Sequence, residues 1–348
     1  MNCIRRIFSG IQPTGVPHLG NYFGSISQWI RIANERRVVI DGKESDCEMP
    51  IYSIVDVHAY TSDSGVYGQQ LYDNILKTTA SLLALGLDPN KSILFRQSDL
   101  LEHCYIDNVL DNFVTARRLT HMTQFKEKSK SSKFIWNSLL NYPVLQTADI
   151  LTYRANLVPV GEDQVQHIEL ARDIAHKFNS RYDCQLFPEP KALLQDSPYA
   201  RRVKSLRSPE KKMSKSDPTR KSYITVIDSP DVILENCKKS LTDEISAVYY
   251  DPENRRAVSN LMILYHLVTG NTFEQITKEF ERFDTGQFKL RLADVLIDKF
   301  SEARTKYEQL ISHKDYLEEV LKMGELKARP IAADTVRVVK HLLGSYRQ

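Results

Sequence analysis

The chain lacks long hydrophobic runs, closely spaced cysteines and a strong excess of charge of either sign. No run of about 18 apolar residues occurs among its 348 residues, so no membrane-spanning helix is predicted. Its five cysteines never lie two or three residues apart, which excludes zinc or dithiol motifs built from adjacent pairs and favours a reducing compartment. The formal net charge of +3 is too small to indicate a nucleic-acid partner by itself.

The positive charge that is present is unevenly distributed. Residues 231–348 carry 18 Lys and Arg against 19 Asp and Glu, whereas residues 1–230 carry 29 against 25. Two local groups of cations stand out: Arg117, Arg118, Lys126, Lys128, Lys130 and Lys133, and near the end of the chain Lys322, Lys327, Arg329, Arg337, Lys340 and Arg347. On charge alone, a solvated surface is the simpler explanation of each group.

Strand and helix signals alternate over the first two-thirds of the chain. Four short apolar runs predict buried strands, at residues 4–9, 51–57, 93–95 and 157–160. Between the second and third runs, apolar residues at helical spacing stop at a capping glycine: Leu71, Ile75, Leu82, Leu85 and Gly86. This alternation predicts an α/β fold with a doubly wound parallel sheet, in which ligands bind at the carboxyl ends of the strands.

Strand signals fade after Ser229-Pro230, and amphipathic helices follow. One helix is predicted to end near Gly270, a long helical stretch covers residues 287–310, and a final helix carries Val336 and Val339. A chain of this length and apolar content is expected to form two domains. The predicted boundary separates an α/β domain over residues 1–230 from an all-helical domain over residues 231–348.

The first strand leads into a turn punctuated by glycines, at residues 10–15, and then into a helix. His18 and Asn21 lie one helical turn apart beside Gly20. A helix N-terminus presents free N–H groups and a positive dipole to an anion, and a glycine lets the ligand approach the backbone. This arrangement predicts a phosphate site, although glycines at strand ends often serve only as turn formers.

A second segment, residues 211–218, carries three lysines within five residues. Lys211, Lys212 and Lys215 alternate with serines around Met213, and prolines lie on both sides of the segment. Such closely spaced like charges would repel each other unless an anion binds there, which predicts a mobile, anion-binding loop. An exposed basic linker is the alternative.

Together the two segments resemble the motif pair of class I aminoacyl-tRNA synthetases. His18 and Gly20 match the first motif, whose last histidine is replaced here by Asn21, and residues 212–216 match the Lys-Met-Ser-Lys-Ser loop. The resemblance implies a Rossmann-like catalytic domain over residues 1–230, with a helical insertion, in which the two motifs grip ATP from opposite sides. It also implies that residues 231–348 bind the tRNA anticodon.

Four further segments are similar to the tryptophanyl branch of this family, the bacterial and mitochondrial type, and the replacement by Asn21 recurs there. Three of them, residues 8–15, 142–151 and 158–164, point to tryptophan, and residues 122–129 match a stretch of the catalytic domain, so the similarity is strong from residue 7 to about residue 230 and looser beyond. The resemblance implies the following ATP-binding residues: Gln12, Pro13, Thr14, His18, Gly20, Asn21, Gly161, Glu162, Asp163, Val203, Lys212, Met213, Ser214, Lys215 and Ser216. It implies a tryptophan pocket made of Phe8, Gly10, Val55, His58, Asp149, Val158, Val160 and Gln164.

Asp149 is the residue on which amino-acid choice is expected to depend. It lies in an otherwise apolar stretch, where an unpaired carboxylate would be costly, so it requires a hydrogen-bond donor. The resemblance supplies the indole N–H, while the residues alone favour a structural aspartate satisfied by backbone or by a neighbouring tyrosine. Likewise, the apolar wall residues are equally well explained as ordinary strand core, and Glu162 and Asp163 as caps of the following helix.

The implied reaction has two steps and needs no covalent nucleophile. Tryptophan attacks ATP to give tryptophanyl-adenylate, and tRNA(Trp) then accepts the amino acid; Mg²⁺ is bound with the nucleotide, with no metal site of the protein's own. Because such chemistry depends on positioning and on cations near the developing charge, Lys212, Lys215 and Lys128 are the predicted catalytic groups, with Gln12 helping to fix the phosphates. The family also implies a homodimer.

Three other functions remain open at this stage. They are a tyrosyl-tRNA synthetase, a nucleotidyltransferase that uses the same turn without tRNA, and a catalytically inactive binding paralogue. The motif at residues 158–164 favours tryptophan over tyrosine, a nucleotidyltransferase would not need the helical tail, and the intact Lys212, Lys215 and Asp149 argue against an inactive paralogue.

The working compartment is predicted to be the mitochondrial matrix, with a bacterial cytoplasm as the alternative. Gln146 stands where many bacterial relatives carry methionine, which resembles mitochondrial members of the branch. Against this, Arg5 and Arg6 lie just ahead of residues 7–10 of the first predicted strand and leave almost no room for a cleavable presequence.

Overall fold

The strands are short and lie mostly in the first 200 residues. The computed structural model describes residues 5–40, 42–61, 66–131 and 134–345, without the side chains of residues 60, 61, 128 and 131. The strands in these ranges are β1 (Phe8–Ile11), β2 (Arg37–Ile40), β3 (Lys43–Asp46), β4 (Ile51–Ile54), β5 (Ile93–Arg96), β6 (Leu157–Pro159) and β7 (Lys191–Leu193).

Helices fill the intervals between the strands and make up nearly everything after residue 230. They are α1 (Leu19–Asn21), α2 (Ser27–Glu35), α3 (Asp56–Thr61), α4 (Gly68–Ala84), α5 (Glu102–Leu110), α6 (Ala116–Thr120), α7 (Thr123–Ser131), α8 (Asn137–Thr152), α9 (Val165–Arg181), α10 (Pro198–Arg201), α11 (Pro230–Lys238), α12 (Arg256–Thr269), α13 (Phe273–Glu279), α14 (Thr285–Lys299), α15 (Ser301–Ser312) and α16 (Lys314–Leu342). A π-helical turn, Tyr22–Ile26, joins α1 to α2.

The central sheet is parallel and doubly wound, as predicted. Strand β1 pairs with β4 and β4 with β5, while β6 pairs with β7. A parallel bridge between Ile7 and Leu157 places β6 beside β1, so the strand order is β5-β4-β1-β6-β7. The winding reverses between β1 and β6, and a ligand crevice is expected beyond the carboxyl ends of these two strands.

The predicted strands and helix ends are largely confirmed. All four apolar runs contain a strand, and α4 and α12 end before Gly86 and Gly270, whose φ angles are +106° and +78°. Glycine takes such left-handed angles without steric cost. The antiparallel hairpin of β2 and β3 was not predicted. Strand β2 carries the apolar residues Val38, Val39 and Ile40, but β3 is polar and mostly exposed.

The helical region departs from the predictions in two respects. The stretch predicted over residues 287–310 is not continuous, because it divides at Phe300 between α14 and α15. The final helix is much longer than predicted, since α16 has 29 residues and continues through Pro330.

The helical region contacts the sheet region through a shared buried cluster and through the packing of its last helix on β5. Leu261 and Leu292 share one buried cluster with Leu19 and Met213, which come from the two predicted ATP motifs. Helix α16 returns to the sheet and lies on β5. A Cβ atom on Gly324 would be 1.7 Å from the carbonyl oxygen of Leu94, so only glycine permits this contact. The domain boundary near residue 230 stays a prediction.

None of the helices in the described part of the chain is long and apolar enough to cross a membrane.

We expect Gly324→Ala to destabilise the protein strongly. The added methyl group would overlap the backbone of β5 at Leu94, which cannot move as a side-chain end can. Overpacking costs ~1–3 kcal/mol and sometimes more, so a loss of about 3 kcal/mol in the free energy of unfolding is expected from urea titration. Gly24→Ala is the control, because its Cβ would make an ordinary contact at 3.6 Å. Equal unfolding midpoints for the two variants would contradict the role of Gly324.

Candidate active site

A cavity of about 760 Å³ opens where the sheet reverses its winding. It extends beyond the carboxyl ends of β1 and β6, between helix α8 and the lysine-rich loop. More than half of the residues predicted for the site line it: Phe8, Gly10, Gln12, Asn21, Val55, His58, Asp149, Val158, Val160, Gly161, Asp163, Gln164, Lys212 and Ser214. The structure therefore brings the amino-acid and nucleotide segments to one place.

The other predicted residues lie around this cavity rather than in its wall. Lys215 contacts the turn after β1, and Gly20 lies against His18 and Met213. Of the remaining ones, Pro13 and Thr14 lie in the turn after β1, and Glu162 lies in the segment after β6. Ser216 belongs to the lysine-rich loop, and Val203 lies ahead of that loop. Lys128 belongs to α7, and the position of its side chain lies outside what the structure describes.

The turn after β1 holds His18 in a defined orientation. The Asn21 N–H donates to Nδ1 of His18 at 3.3 Å, and the His18 N–H donates to Oδ1 of Asn21 at 3.1 Å. Burial, with Lys215 and Lys212 nearby, lowers the pKa of His18 to about 3. The ring is therefore neutral at physiological pH. Because Nδ1 accepts a hydrogen bond, the proton lies on Nε2, which remains a donor for an anionic ligand.

Gly20 has a steric role beside this histidine. A Cβ atom at this position would be 2.8 Å from Cε1 and 3.0 Å from Nδ1 of His18. The absence of a side chain therefore leaves room for the imidazole. The approach of a ligand to the backbone at this position stays a prediction.

The lysine-rich loop is attached to both sides of the cavity. The Nζ of Lys215 donates to the carbonyl oxygens of Thr14 and Val16, at 2.7 and 2.9 Å. Burial lowers the pKa of Lys215 to about 8. The Nζ of Lys212 lies 3.0 Å from Oδ1 of Asp163, so the loop also reaches the segment after β6. Two cations thus lie near the turn after β1, which suits an anionic ligand.

The apolar anchor of the loop is Met213, which is buried. Its N–H donates to the carbonyl of Val203 at 3.0 Å, and a bridge pairs Lys204 with Lys212. The loop therefore has a fixed backbone base at Val203, the residue expected beside adenine.

The segment after β6 combines acidic groups with the start of a helix. Glu162, Asp163 and Gln164 form a single helical turn that leads into α9, whose buried residues include Ile168, Ala171, Ala175 and Phe178 as predicted. Burial opposes ionisation of Asp163, but Lys212 and hydrogen bonds outweigh it and lower its pKa. Glu162 lies 3.8 Å from Arg201.

Asp149 is almost fully buried and receives three side-chain hydrogen bonds. Gln97 Nε2 and His103 Nδ1 lie 2.6 and 2.7 Å from Oδ1, and His58 Nε2 lies 3.1 Å from Oδ2. Burial alone would raise the pKa of Asp149, but the hydrogen bonds from the two histidines hold it at about 2. The carboxyl group is therefore an ionised acceptor at physiological pH.

The need for a donor to Asp149 is thus confirmed, but the donors are neither backbone groups nor a tyrosine. Sequence reasoning named His58 and missed Gln97 and His103. The signal that could have found them is their place after β5, which Gln97 follows directly and His103 follows at the start of α5, because residues that follow parallel strands meet at one edge of the sheet.

The apolar wall of the cavity is rigid. Phe8 stacks on Tyr153 with ring centroids 5.3 Å apart, and Val55 and Val158 are buried. A Cβ on Gly10 would lie 2.7 Å from Cγ1 of Val55, so glycine is needed there for the strands to pack. These side chains form an apolar part of the cavity wall, beside the buried charge of Asp149.

Among the described residues, no group of three or more His, Cys, Asp and Glu side chains is arranged to hold a metal ion.

The fold and these two motifs define a nucleotide-binding α/β enzyme. The family described as tRNA synthetases class I (W and Y) matches residues 4–301. The chain belongs to this family.

The relatives are similar over nearly their whole length. A mitochondrial tryptophan–tRNA ligase of Caenorhabditis elegans is 40% identical over 97% of this chain and 90% of its own. A tryptophan–tRNA ligase of Halalkalibacterium halodurans is 37% identical over 99% of each chain. The solved tryptophanyl-tRNA synthetase of Campylobacter jejuni, complexed with ADP and tryptophan, superposes with a TM-score of 0.80 at 30% identity and covers 97% of this chain and 99% of its own.

We expect Gly20→Ala to weaken ATP binding. The new methyl group would displace the buried His18 ring and weaken the hydrogen bond that His18 is expected to donate to the nucleotide, so the Kd measured by calorimetry should rise about ten-fold. Gly24→Ala, which meets no close neighbour, should leave the Kd unchanged. Unaltered ATP affinity in the Gly20 variant would show that His18 does not depend on this glycine.

Proposed function

We propose that the chain is a tryptophan–tRNA ligase. It activates L-tryptophan with ATP to tryptophanyl-adenylate and pyrophosphate, and then transfers tryptophan to the 3′ end of tRNA(Trp). The observation that carries the proposal is the ionised, buried Asp149 in the wall of a cavity that the apolar side chains of Phe8, Val55 and Val158 also line. The names of the relatives at 37–40% identity support it.

Indole matches this cavity chemically. It is flat and apolar, and it has one N–H donor and no acceptor. Oδ1 of Asp149 already accepts two hydrogen bonds, whereas Oδ2 accepts one, from His58. Oδ2 therefore keeps the capacity to accept the indole N–H. A phenylalanine side chain would leave this capacity unused, and the phenol of tyrosine would place its hydroxyl elsewhere.

ATP is placed between the two motifs, and Mg²⁺ enters with it as part of the substrate. His18 Nε2–H, Asn21 and Gln12 bind the phosphates from the turn after β1, with the backbone of Pro13 and Thr14 alongside. Gly161, Glu162 and Asp163 contact the ribose and adenine side, and Val203 packs beside the base. The loop of Lys212 to Ser216 covers the phosphates, and Lys212 leaves Asp163 to reach them.

Activation then depends on position and charge. The carboxylate of tryptophan attacks the α-phosphorus in line, the bond to the β-phosphate oxygen breaks, and pyrophosphate leaves. Lys215 and Lys212, with Lys128 as a third candidate, stabilise the negative charge that moves onto the leaving group. In the second step a ribose hydroxyl of the terminal adenosine of the tRNA attacks the mixed anhydride and releases AMP.

A tyrosyl-tRNA synthetase is the nearest alternative within the family. Amino-acid-dependent exchange of pyrophosphate into ATP, run with each of the twenty amino acids, separates the two. Exchange driven by tryptophan and not by tyrosine is expected, and the reverse result would refute the proposal.

We further propose that residues 231–348 bind the anticodon region of the tRNA. Arg337 is exposed and pairs with Asp334 at 2.7 Å, while Lys340 lies over the ring of Tyr105. Exposed ion pairs contribute little free energy, so these cations can exchange their partners for phosphates. Charge reversal at both positions should reduce tRNA charging and its salt dependence while activation stays normal.

We propose a homodimer on the basis of an exposed apolar triplet before α8. Phe134, Ile135 and Trp136 are 61%, 58% and 58% exposed, which favours burial against a second protein surface. Sedimentation at micromolar concentration tests the stoichiometry, and a monomer would contradict the proposal.

The mitochondrial matrix is the proposed compartment, with a bacterial cytoplasm as the alternative. Gln146 supports the first, and both mitochondrial and bacterial relatives are similar to the chain. Imaging of the tagged full-length gene product decides between them.

We expect Lys215→Ala to lower kcat of tryptophan activation about 100-fold with little change in the KM for tryptophan, because its cation acts mainly on the transition state.

A second expectation concerns the pH dependence of ATP use. With the pKa of Lys215 at about 8, the amine is charged below this pH and neutral above it, so kcat/KM for ATP should fall as the pH rises through about 8.

Lys215→Arg is the matched control, because a guanidinium stays charged throughout this range. The fall near pH 8 should disappear in this variant. If kcat/KM for ATP falls over the same alkaline pH range in the wild type and in Lys215→Arg, another group is responsible for the fall. Unchanged kcat with a raised KM for tryptophan in Lys215→Ala would refute the assigned role.

We expect Asp149 to be the main source of selectivity. A charge-assisted hydrogen bond in a dry pocket contributes ~1.5–3 kcal/mol, so benzothienylalanine, which lacks the N–H, should be activated by the wild type about 10- to 100-fold less efficiently than tryptophan. Asp149→Asn, of equal size, should lose most of this preference. Equal activation of both substrates by the wild type would make Asp149 a structural residue.

A further inference from the structure

We propose that His103 is a positioning residue that orients the carboxylate of Asp149 towards the indole, and so sets the selectivity for tryptophan. This inference rests on the proposed function. Of the three donors to Asp149, only His58 lines the cavity. His103 lies behind the carboxylate and acts through it.

Both ring nitrogens of His103 are engaged, so its orientation is fixed. Nδ1 lies 2.7 Å from Oδ1 of Asp149, and Nε2 lies 2.8 Å from the hydroxyl of Tyr153. His103 is 1% exposed, and Tyr153 is fully buried. Nδ1–H donates to the carboxylate, and the Tyr153 hydroxyl, which can donate or accept, contacts Nε2, so neither ring nitrogen is without a partner. The histidine of α5 thus joins two residues at the end of α8.

The hydrogen bonds to Asp149 are divided unequally between its oxygens. Gln97 and His103 both donate to Oδ1, and the Oε1 of Gln97 accepts the Val57 N–H at 3.1 Å. These contacts use the acceptor capacity of Oδ1 and set the rotation of the carboxylate. Oδ2 is the oxygen with capacity left for a ligand, so its direction depends on what holds Oδ1.

Loss of the hydrogen bond from His103 should therefore weaken the hydrogen bond between Asp149 and the indole N–H, and should leave the other substrate contacts unchanged. Hydrogen bonds weaken steeply when their angle departs from linearity, so a carboxylate free to rotate binds an N–H less well. A substrate that makes no hydrogen bond to Asp149 gains nothing from its orientation. A purely structural residue would affect both kinds of substrate alike.

The test compares His103→Leu with His103→Asn in the full chain, with rates per active site. The leucine variant should lower kcat/KM for tryptophan about ten-fold or more, mainly through KM, whereas kcat/KM for benzothienylalanine should change by less than about three-fold. The asparagine variant should recover most of the loss, because its amide nitrogen takes the place of Nδ1. His121→Leu, a change at an exposed histidine, should have no effect.

Equal losses for both substrates in His103→Leu, or no recovery in His103→Asn, would overturn the inference. If the wild type discriminates and His103→Leu discriminates equally, the inference fails and the proposed role of Asp149 stands. If the wild type itself does not discriminate, both fail. Should the leucine variant not fold, Tyr153→Phe replaces it. That variant removes only the hydroxyl group that contacts Nε2 of His103, and it should lower kcat/KM about three-fold for tryptophan alone.

Discussion

A buried carboxylate that is kept ionised is the constraint around which this molecule is organised. An isolated charge in an apolar interior would be strongly unfavourable, and it is tolerated only when several donors converge on it. Here the donors come from three separate elements: His58 from α3, Gln97 from the turn after β5, and His103 from α5. The relative placement of β4, β5 and α8 is thereby tied to the chemistry of Asp149.

The nucleotide side of the cavity depends on a different kind of contact. Leu19 and Met213, one from each ATP motif, are buried in a cluster with helices α12 and α14. The helical region therefore supports both motifs directly, while α16 lies on β5 through Gly324. The proposed amino-acid pocket around Asp149 and the proposed nucleotide site thus depend on different packing contacts, and the helical region takes part in the second through Leu19 and Met213.

Predictions from the sequence succeeded where the signal is local. Apolar runs located the strands, and Gly86 and Gly270 located helix ends, because both depend on residues close in the chain. The predictions failed where tertiary packing determines helix breaks, helix lengths or strand pairing. The break at Phe300 and the passage of α16 through Pro330 do not alter the apolar periodicity, and β3 has no apolar residue to indicate that it pairs with β2.

The sequence by itself determined the parallel fold, the two motifs and the family resemblance, since each is written in short ordered segments. Only the tertiary structure decided what surrounds Asp149 and Lys215. Gln97 and His103 are 52 and 46 residues from Asp149, and Lys215 is 201 residues from Thr14. Partners at such separations are selected by how strands and helices pack, and no local pattern encodes that choice.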